Sequence, residues 1–456
     1  MKKLWFLCYM GAISIGIIVL VWQMAPDLSS EIQSQINKRI ALGYNRNIVA
    51  AYLTEKNTRF FHGGVFSSSP EKAIFEIGSL TKLFTAHLTL LLAEEQLLSL
   101  DDPVQKYFPT VSFPTYGEVQ ITIRHLLTHT SGLKDPVQEN YYNSENGNTV
   151  PMADYTLAEL YHYIPKIKLG FMPGTKALYS NLSYGLIGHI LEKITKKKYI
   201  TLLREKIFIP FGMHDTFLEV PTSLSERKIQ GTAAGVDVPY WEIPYLPAFG
   251  ALKSTARDLA IYLRHYLNAS PHSSLLKNLL IPYVELDQLP ISGTIGWTID
   301  KRYGGHLYAA SGKTLGFSCF MGFCPVKKTG IIILTDASEL DALGHYFLNP
   351  LFPLSPLYKA ISLSSESLQK FSGTYSSEQN KVTIAVKGET LVLDVPNERP
   401  LVLSPMSENR FFIKYLFSSP QWLYFEEDTE KHSLCLILKD EATGLKEIFY
   451  KIKEEE

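Results

Sequence analysis

The spacing of hydrophobic residues predicts a helix, two strands and a long buried helix in the first part of the chain. Over residues 28–42, isoleucines recur every four positions, which places them on one face of a helix. Residues 48–53 and 59–63 are rich in apolar and aromatic side chains and predict two strands joined by a polar turn. An apolar run over residues 83–100 predicts a buried helix that ends near Pro103, because proline cannot continue a helix.

The middle of the chain is helical in pattern, and strands return after it. Residues 135–150 are polar and contain an Asn-Gly turn, which predicts an exposed loop. Residues 182–194 and 255–267 have helical spacing, whereas residues 308–323 and 330–334 read as strands. Strands therefore lie at both ends of this body and helices in the middle. This order predicts one sheet that is closed by strands from both ends of the body, with a helical insertion between them.

The pattern changes again after about residue 357. Short apolar runs bounded by turn residues follow one another, and Val382, Ile384 and Val386 alternate with polar neighbours. Short strands at this spacing are typical of an antiparallel barrel or sandwich. We therefore expect a main domain over residues 26–350 and a small all-β, barrel-like domain over residues 360–456.

The N-terminal segment, residues 1–25, has the pattern of a membrane anchor or a signal segment. Lys2 and Lys3 precede an apolar run from Leu4 to Trp22, which is longer than the usual signal core and long enough to span a bilayer. We expect an uncleaved anchor, with a cleaved signal as the alternative that N-terminal sequencing distinguishes. The two lysines predict that everything after this segment faces the extracytoplasmic or periplasmic side.

Composition narrows the possible functions. A chain of 456 residues is long enough for two or three domains. Its hydrophobic fraction of 46% is enough for a large core. The formal net charge of -1, without a long basic run, argues against nucleic acid as a partner. The four cysteines show no disulfide or metal-ligand spacing, so we expect no metal and no cofactor. Nothing in the pattern predicts the oligomeric state.

A serine and a lysine three residues apart, Ser79 and Lys82, open the long apolar helix pattern. Residues i and i+3 share one face of a helix, so the hydroxyl and the amine can meet. A serine hydroxyl needs a neighbouring base to act as a nucleophile, and a lysine neutralised by burial can be that base. An ordinary helix start is the alternative, because the same spacing recurs without this context at Ser69, Ser131, Ser225, Ser274 and Ser367.

A second candidate element is Tyr179-x-Asn181, about a hundred residues further on. A phenol beside an ammonium group ionises more easily and can carry protons between a nucleophile and a leaving group. An amide side chain can both donate to and accept from a substrate amide. The same residues also fit a plain helix N-terminus capped by Ser180, so both interpretations stay open.

Together and in this order, the two elements resemble the serine β-lactamase and penicillin-binding superfamily. They most resemble its class C branch, which includes esterases and D-amino-acid peptidases. The resemblance covers about residues 30–345 and rests on the stretches 77–82, 100–103, 123–133, 173–181, 211–216 and 250–259. It implies the α+β fold of that superfamily, with an appended small barrel. It further implies Ser79 as the acylated nucleophile, Lys82 as its base, Tyr179 as proton shuttle and Asn181 as a substrate-binding residue.

The third motif of the superfamily, a Lys-Thr-Gly or His-x-Gly triplet, aligns with Ala310, Ser311 and Gly312. The first position is therefore alanine, which removes the cation that would bind a substrate carboxylate. The oxyanion hole needs only backbone N–H groups, and in this register Lys313 and the nucleophile supply them. We expect Ser311, Gly312 and Lys313 to contact the substrate.

The resemblance implies a membrane-tethered serine hydrolase that acts outside the cytoplasm through an acyl-enzyme, on a small ester, amide or peptide. One alternative is a D-alanyl-D-alanine carboxypeptidase, D-aminopeptidase or β-lactamase. An alternative of another class is an inactive penicillin-binding-like protein that only binds its ligand. His125 and His129 belong to a stretch that is structural in this superfamily, and we interpret both as packed histidines.

Overall fold

The computed structural model describes residues 28–452, with gaps in that range. The predicted anchor, residues 1–25, lies outside the described residues, as does most of the predicted exposed loop at 135–150. Within the described part of the chain, no helix is long and apolar enough to cross a bilayer. The gaps are residues 136–155, 234–235, 269–273, 287–290, 305, 337–339, 355, 379, 396–400, 414–420, 430–432 and 441–445.

An antiparallel sheet of eight strands forms the centre of the main body. The strands are β1 (Ile48–Leu53), β2 (Thr58–Gly63), β7 (Val284–Leu286), β8 (Ile291–Gly293), β9 (Thr298–Asp300), β10 (Leu307–Lys313), β11 (Ser318–Cys324) and β12 (Thr329–Thr335). They lie in the order β2-β1-β12-β11-β10-β9-β8-β7. As predicted, strands from both ends of this body meet, because β1 pairs with β12 from Ile48 opposite Thr335 to Leu53 opposite Gly330. Two short ladders lie outside this sheet, β3 (Phe75–Glu76) with β6 (Lys253–Ser254), and β4 (Gly231–Ala233) with β5 (Val236–Val238).

Helices cover both faces of this sheet and build a helical region beside it. The helices are α1 (Leu28–Ala41), α2 (Thr81–Glu94), α3 (Ile123–Leu127), α4 (Leu157–Tyr163), α5 (Asn181–Thr195), α6 (Tyr199–Leu203), α7 (Ile209–Phe211), α8 (Ala256–Asn268), α9 (Ser274–Leu280), α10 (Asp341–Leu348) and α11 (Ser365–Gln369). One face of the sheet packs on α1 and α10, and the other face packs on a larger core that contains α2, α5 and α8. Cys319 and Cys324 of β11 lie in these two different cores, as the alternation of side chains along a strand requires.

Helix α2 is buried almost throughout, as its apolar pattern predicts, but it ends at Glu94 rather than near Leu100. The chain turns at Gln96, which has a left-handed φ of 61°. The N–H groups of Gln96 and Leu97 donate back to carbonyls of the last helical turn, at 3.0 Å each. This closure satisfies free carbonyl groups at the helix end before the proline is reached, so the predicted end was wrong by about two turns.

The C-terminal strands form a closed barrel, which decides between the two predicted all-β arrangements. Its ring closes where Tyr375 pairs with Lys451. Phe412 and Trp422 face outwards and pack against Tyr44 and Tyr358, which attaches the barrel to the main body. The predicted fold class, an α+β body followed by a small barrel, is confirmed, whereas the boundaries 26–350 and 360–456 stay predictions. The strands are β13 (Gly373–Ser376), β14 (Lys381–Lys387), β15 (Thr390–Asp394), β16 (Leu401–Pro405), β17 (Arg410–Ile413), β18 (Gln421–Asp428), β19 (Ser433–Asp440) and β20 (Lys446–Lys451).

A very close backbone approach joins strand β10 to the turn that precedes α2. A Cβ atom on Gly312 would lie 1.9 Å from the carbonyl oxygen of Ile77 and 2.7 Å from the Cys319 sulfur. Both neighbours belong to the buried core. Only a residue without a side chain allows the strand and the turn to meet at this distance.

We expect Gly312→Ala to destabilise the protein by about 1–3 kcal/mol or more, because the inserted methyl group overlaps backbone that cannot move away freely. Thermal denaturation of the purified variant measures the effect. Gly170→Ala is the matched control, since a Cβ atom there meets nothing within 4 Å. Equal melting temperatures for the two variants would contradict the close approach.

Candidate active site

Ser79 lies on a tight turn that connects strand β3 to helix α2. Gly78 takes a left-handed φ of 47°, and the one-turn 3₁₀ helix Gly78–Leu80 leads directly into α2. A Cβ atom at Gly78 would lie 2.7 Å from the Lys313 backbone nitrogen. The sequence therefore places glycine where the turn reverses and where it meets strand β10. Ser79 stays partly exposed at the start of the helix, while most of α2 is buried.

Lys82 is buried beneath Ser79, with 3% of its surface exposed. Its Nζ lies 3.0 Å from Ser79 Oγ, 2.8 Å from Asn181 Oδ1 and 2.8 Å from the Phe249 carbonyl oxygen. Burial lowers the pKa of Lys82 to about 7, and the nearby negative charge of Asp135 partly opposes that shift. When the amine is neutral, its two N–H groups can bond to the two carbonyl oxygens, which leaves its lone pair for the Ser79 hydroxyl.

Tyr179 and Asn181 come to the same point from the start of helix α5. The Tyr179 hydroxyl lies 2.6 Å from Ser79 Oγ, and the Lys82 ammonium lies 4.8 Å from the centre of the Tyr179 ring. Ser180, between the two residues, is the N-cap of α5 and accepts from the Ser183 N–H, as the alternative interpretation predicts. The helix start and the cluster are therefore one structure, because the cap turns Tyr179 and Asn181 towards Ser79.

Asp135 is a residue of this site that the sequence analysis assigned to an exposed loop, and that assignment was wrong. The carboxylate is buried and accepts from the backbone N–H groups of Asn181 and Leu182, at 2.8 and 2.9 Å, and from the Ser180 hydroxyl at 2.8 Å. A carboxylate at a helix N-terminus satisfies its free N–H groups and its dipole. The residues that follow Asp135 are polar and typical of turns, and no local pattern predicts that its carboxylate caps a helix about 46 positions further along the chain.

His129 packs under the Tyr179 ring, with ring centres 4.5 Å apart, and also against Tyr184. Its Nδ1 accepts from the Ser180 N–H at 3.1 Å. Burial, reinforced by the charge of Lys82, lowers the pKa of His129 to about 3, so the ring is neutral. The geometry agrees with a packed histidine, although it lies closer to the predicted site than the sequence indicates. Its left-handed φ of 59° is a local strain of the kind found around functional sites.

The third predicted element is the end of strand β10. Its backbone reaches the nucleophile turn, since Gly312 lies against Ile77 and Lys313 against Gly78. Ala310 pairs with Met321 and shares its face of the strand with Gly312. The side chains of Ser311 and Lys313 alternate to the opposite face, so the strand itself does not turn Lys313 towards the position of Ala310.

The hydroxyl, amine, phenol and amide groups of this cluster are suited to acyl transfer, because the Ser79 hydroxyl lies beside a base and a second proton-transfer group. Ser69, the first of the other serines with the same spacing to a lysine, is exposed and precedes only a single 3₁₀ turn at Pro70–Lys72. Among the described residues, no three histidine, cysteine or acidic side chains come close enough to hold a metal ion.

Comparisons with known proteins agree with this arrangement. The sequence profile of the beta-lactamase family matches residues 42–345. Penicillin-binding protein 4* of Bacillus subtilis is 26% identical over 389 residues, which cover 75% of this chain and 81% of that protein. The D-alanyl-D-alanine-carboxypeptidase/endopeptidase AmpH of Escherichia coli K12 is 25% identical over 340 residues, covering 69% and 86%.

A solved structure extends the likeness of fold over nearly the whole chain. The octameric penicillin-binding protein homologue from Pyrococcus abyssi superposes with a TM-score of 0.63 at 24% identity, covering 93% of this chain and 100% of that one. The family resemblance predicted from the sequence is confirmed by the profile match over two thirds of the chain. The chain belongs to the beta-lactamase family, and it is a serine hydrolase of the β-lactamase and penicillin-binding superfamily.

Proposed function

We propose that the protein cleaves an ester or amide bond through an acyl-enzyme formed on Ser79, with Lys82 as its base. The observation that carries this proposal is the meeting of four side chains at the starts of two helices, each within hydrogen-bond distance of another: Ser79, Lys82, Tyr179 and Asn181. An inactive ligand-binding protein does not need a buried amine with a lowered pKa beside a serine. The intact cluster therefore favours an enzyme over the binding protein.

In the proposed acylation step, Ser79 Oγ attacks the substrate carbonyl carbon and its proton passes to the neutral Lys82 amine. The oxyanion is stabilised by the backbone N–H groups of Ser79 and Lys313, which need no charged side chain. Tyr179 carries a proton to the leaving group, whose bond to the carbonyl carbon then breaks. Asn181 accepts from Lys82 through Oδ1, so its Nδ2 is the group that donates to the substrate. Water then hydrolyses the acyl-enzyme by the reverse sequence of proton transfers.

The substrate class in this proposal is a small ester, amide or peptide without a required free carboxylate. Ala310 supports the neutral substrate, because a methyl group cannot pair with a carboxylate. A D-alanyl-D-alanine peptide is the second candidate, and the similarity to Penicillin-binding protein 4* and AmpH favours it. Contacts of Ser311, Gly312 and Lys313 with substrate belong to the proposal in both cases. The extracytoplasmic, membrane-tethered location also stays a proposal that rests on residues 1–25.

We expect Ser79→Ala to reduce hydrolysis of a short-chain p-nitrophenyl ester to the buffer background, because no other group replaces the attacking oxygen. Ser69→Ala is the matched control and should keep the parent kcat/KM, since Ser69 lies outside the cluster. Intact-mass spectrometry after treatment with a fluorophosphonate should show one adduct in the parent and none in Ser79→Ala. Parent-like turnover by Ser79→Ala would overturn the mechanism.

The rate should depend on pH through Lys82. The neutral amine is the base, so kcat/KM should rise about tenfold per pH unit below a midpoint near 7 and level off above it. Below the pKa of Lys82, which burial lowers to about 7, the amine is protonated and cannot accept the Ser79 proton. Circular dichroism over the same pH range checks that the acid limb does not reflect unfolding. A rate that stays constant from pH 5 to pH 9 would exclude Lys82 as the base.

Ala310 should make the enzyme prefer substrates without a free carboxylate, and a lysine at this position should reduce that preference. Ala310→Lys should improve acylation by a carboxylate-bearing substrate by about 1.5–3 kcal/mol, the range of a charged hydrogen bond. A suitable pair is one depsipeptide ester with its terminal carboxylate either free or methylated, with kcat/KM measured for both. Ala310→Met is the control for side-chain length without charge.

The same pair of substrates tests Lys313. The strand alternation places its side chain on the face opposite Ala310, so Lys313→Ala should leave the ratio of the two rates unchanged. A parent enzyme that already prefers the free carboxylate, together with an unchanged preference in Lys313→Ala, would contradict the neutral-substrate proposal. It would favour the peptidase instead.

A further inference from the structure

A buried carboxylate, Glu76, lies three residues before the nucleophile, with 2% of its surface exposed. One of its oxygens accepts from the backbone N–H of Trp241, and the other accepts from the Thr314 hydroxyl at 2.6 Å. An ionised carboxylate only accepts hydrogen bonds, so these two donors suit the charged form. Burial raises the pKa of Glu76, while the Thr314 hydrogen bond and the nearby Lys253 charge act in the opposite direction.

Lys253 is the cation that accompanies this carboxylate. It lies opposite Glu76 in the β3–β6 ladder and is itself buried, with 6% of its surface exposed. Its Nζ donates to the carbonyl oxygen of Trp241 at 2.8 Å. The backbone of Trp241 is therefore bound on its N–H side by Glu76 and on its C=O side by Lys253. Two opposite buried charges with hydrogen-bonded partners are far less costly than one alone.

The Glu76 carboxylate connects segments that come together around Ser79. Thr314 directly follows Lys313, whose backbone lies against the nucleophile turn, and its N–H donates to Phe317 across the β10–β11 turn. Strand β11 adds a second contact, because the Cys319 sulfhydryl donates to the Ile77 carbonyl oxygen at 3.1 Å. The end of strand β10, through Thr314, and strand β11, through Cys319, are thus each attached by a side chain to the residues just before Ser79.

We propose that Glu76, acting through the Thr314 hydroxyl, is a positioning residue that holds the backbone N–H of Lys313 at the distance from Ser79 that an oxyanion hole requires. This inference rests on the proposed acyl-enzyme mechanism and adds to it the group that sets the geometry of its oxyanion hole. The physical reason is the steep dependence of such a site on position, since a displacement of about 1 Å can cost about 10²-fold in rate. Glu76 itself touches no substrate and exchanges no proton in this role.

The test removes the Thr314 hydroxyl and keeps the shape of the side chain. Thr314→Val should lower kcat for a p-nitrophenyl ester about tenfold and leave KM within about twofold, since oxyanion contacts form fully only in the transition state. A phenylboronic acid, whose serine adduct is tetrahedral, should bind about tenfold more weakly to this variant. Thr314→Ser restores the hydroxyl and should recover most of the parent kcat.

Thr216→Val is the matched control, because Thr216 also donates to a buried carboxylate, that of Asp258, at 2.7 Å. This variant should lose comparable thermal stability and keep the parent kcat and boronate affinity. Parent-like kcat and boronate affinity in Thr314→Val would overturn the inference, as would equal losses in both valine variants. Failure of the proposed mechanism itself is distinguishable, because it shows as turnover by Ser79→Ala.

Discussion

The burial of one amine, that of Lys82, is the constraint on which the site depends. An ammonium group removed from water is costly unless acceptors surround it, and the same cost lowers its pKa into the range where it can act as a base. The acceptors come from three places in the chain: the Ser79 hydroxyl on the turn before α2, the Asn181 side chain on α5, and the Phe249 carbonyl. The requirement to satisfy one lysine therefore brings these three segments to the same point.

Close backbone contact is the second physical condition of the site. The nucleophile turn and strand β10 approach so closely that both Gly78 and Gly312 lack room for a side chain. A small displacement of either segment would open the space between them, and the buried bonds of Glu76 and Cys319 oppose such a displacement. We therefore expect the geometry of the proposed active site to depend on these buried contacts as well as on the reacting groups themselves.

The four side chains of the two predicted motifs, Ser79, Lys82, Tyr179 and Asn181, meet in the structure. In the predicted alignment of the third motif, alanine at position 310 replaces the lysine or histidine of the superfamily. Catalysis of acyl transfer and recognition of a carboxylate are separable, because the first uses backbone N–H groups and a proton path, and the second needs a charge. In the proposed function, the alanine at position 310 therefore changes the substrate class and leaves the reaction unchanged.

Local patterns in the sequence are enough to predict the periodic elements and the spacing of the site motifs. The strand at Ile48–Leu53, the Ser180 cap and the alternating strands of the C-terminal domain follow from spacing and turn chemistry, which act over a few residues. Tertiary structure decided whether those strands close into a barrel, and where α2 ends. It alone showed that Asp135 is buried as a cap and that His129 packs under Tyr179, because those contacts join residues about 45–50 positions apart. The Glu76–Thr314 bond spans 238 positions, and no local pattern encodes a partner at that distance.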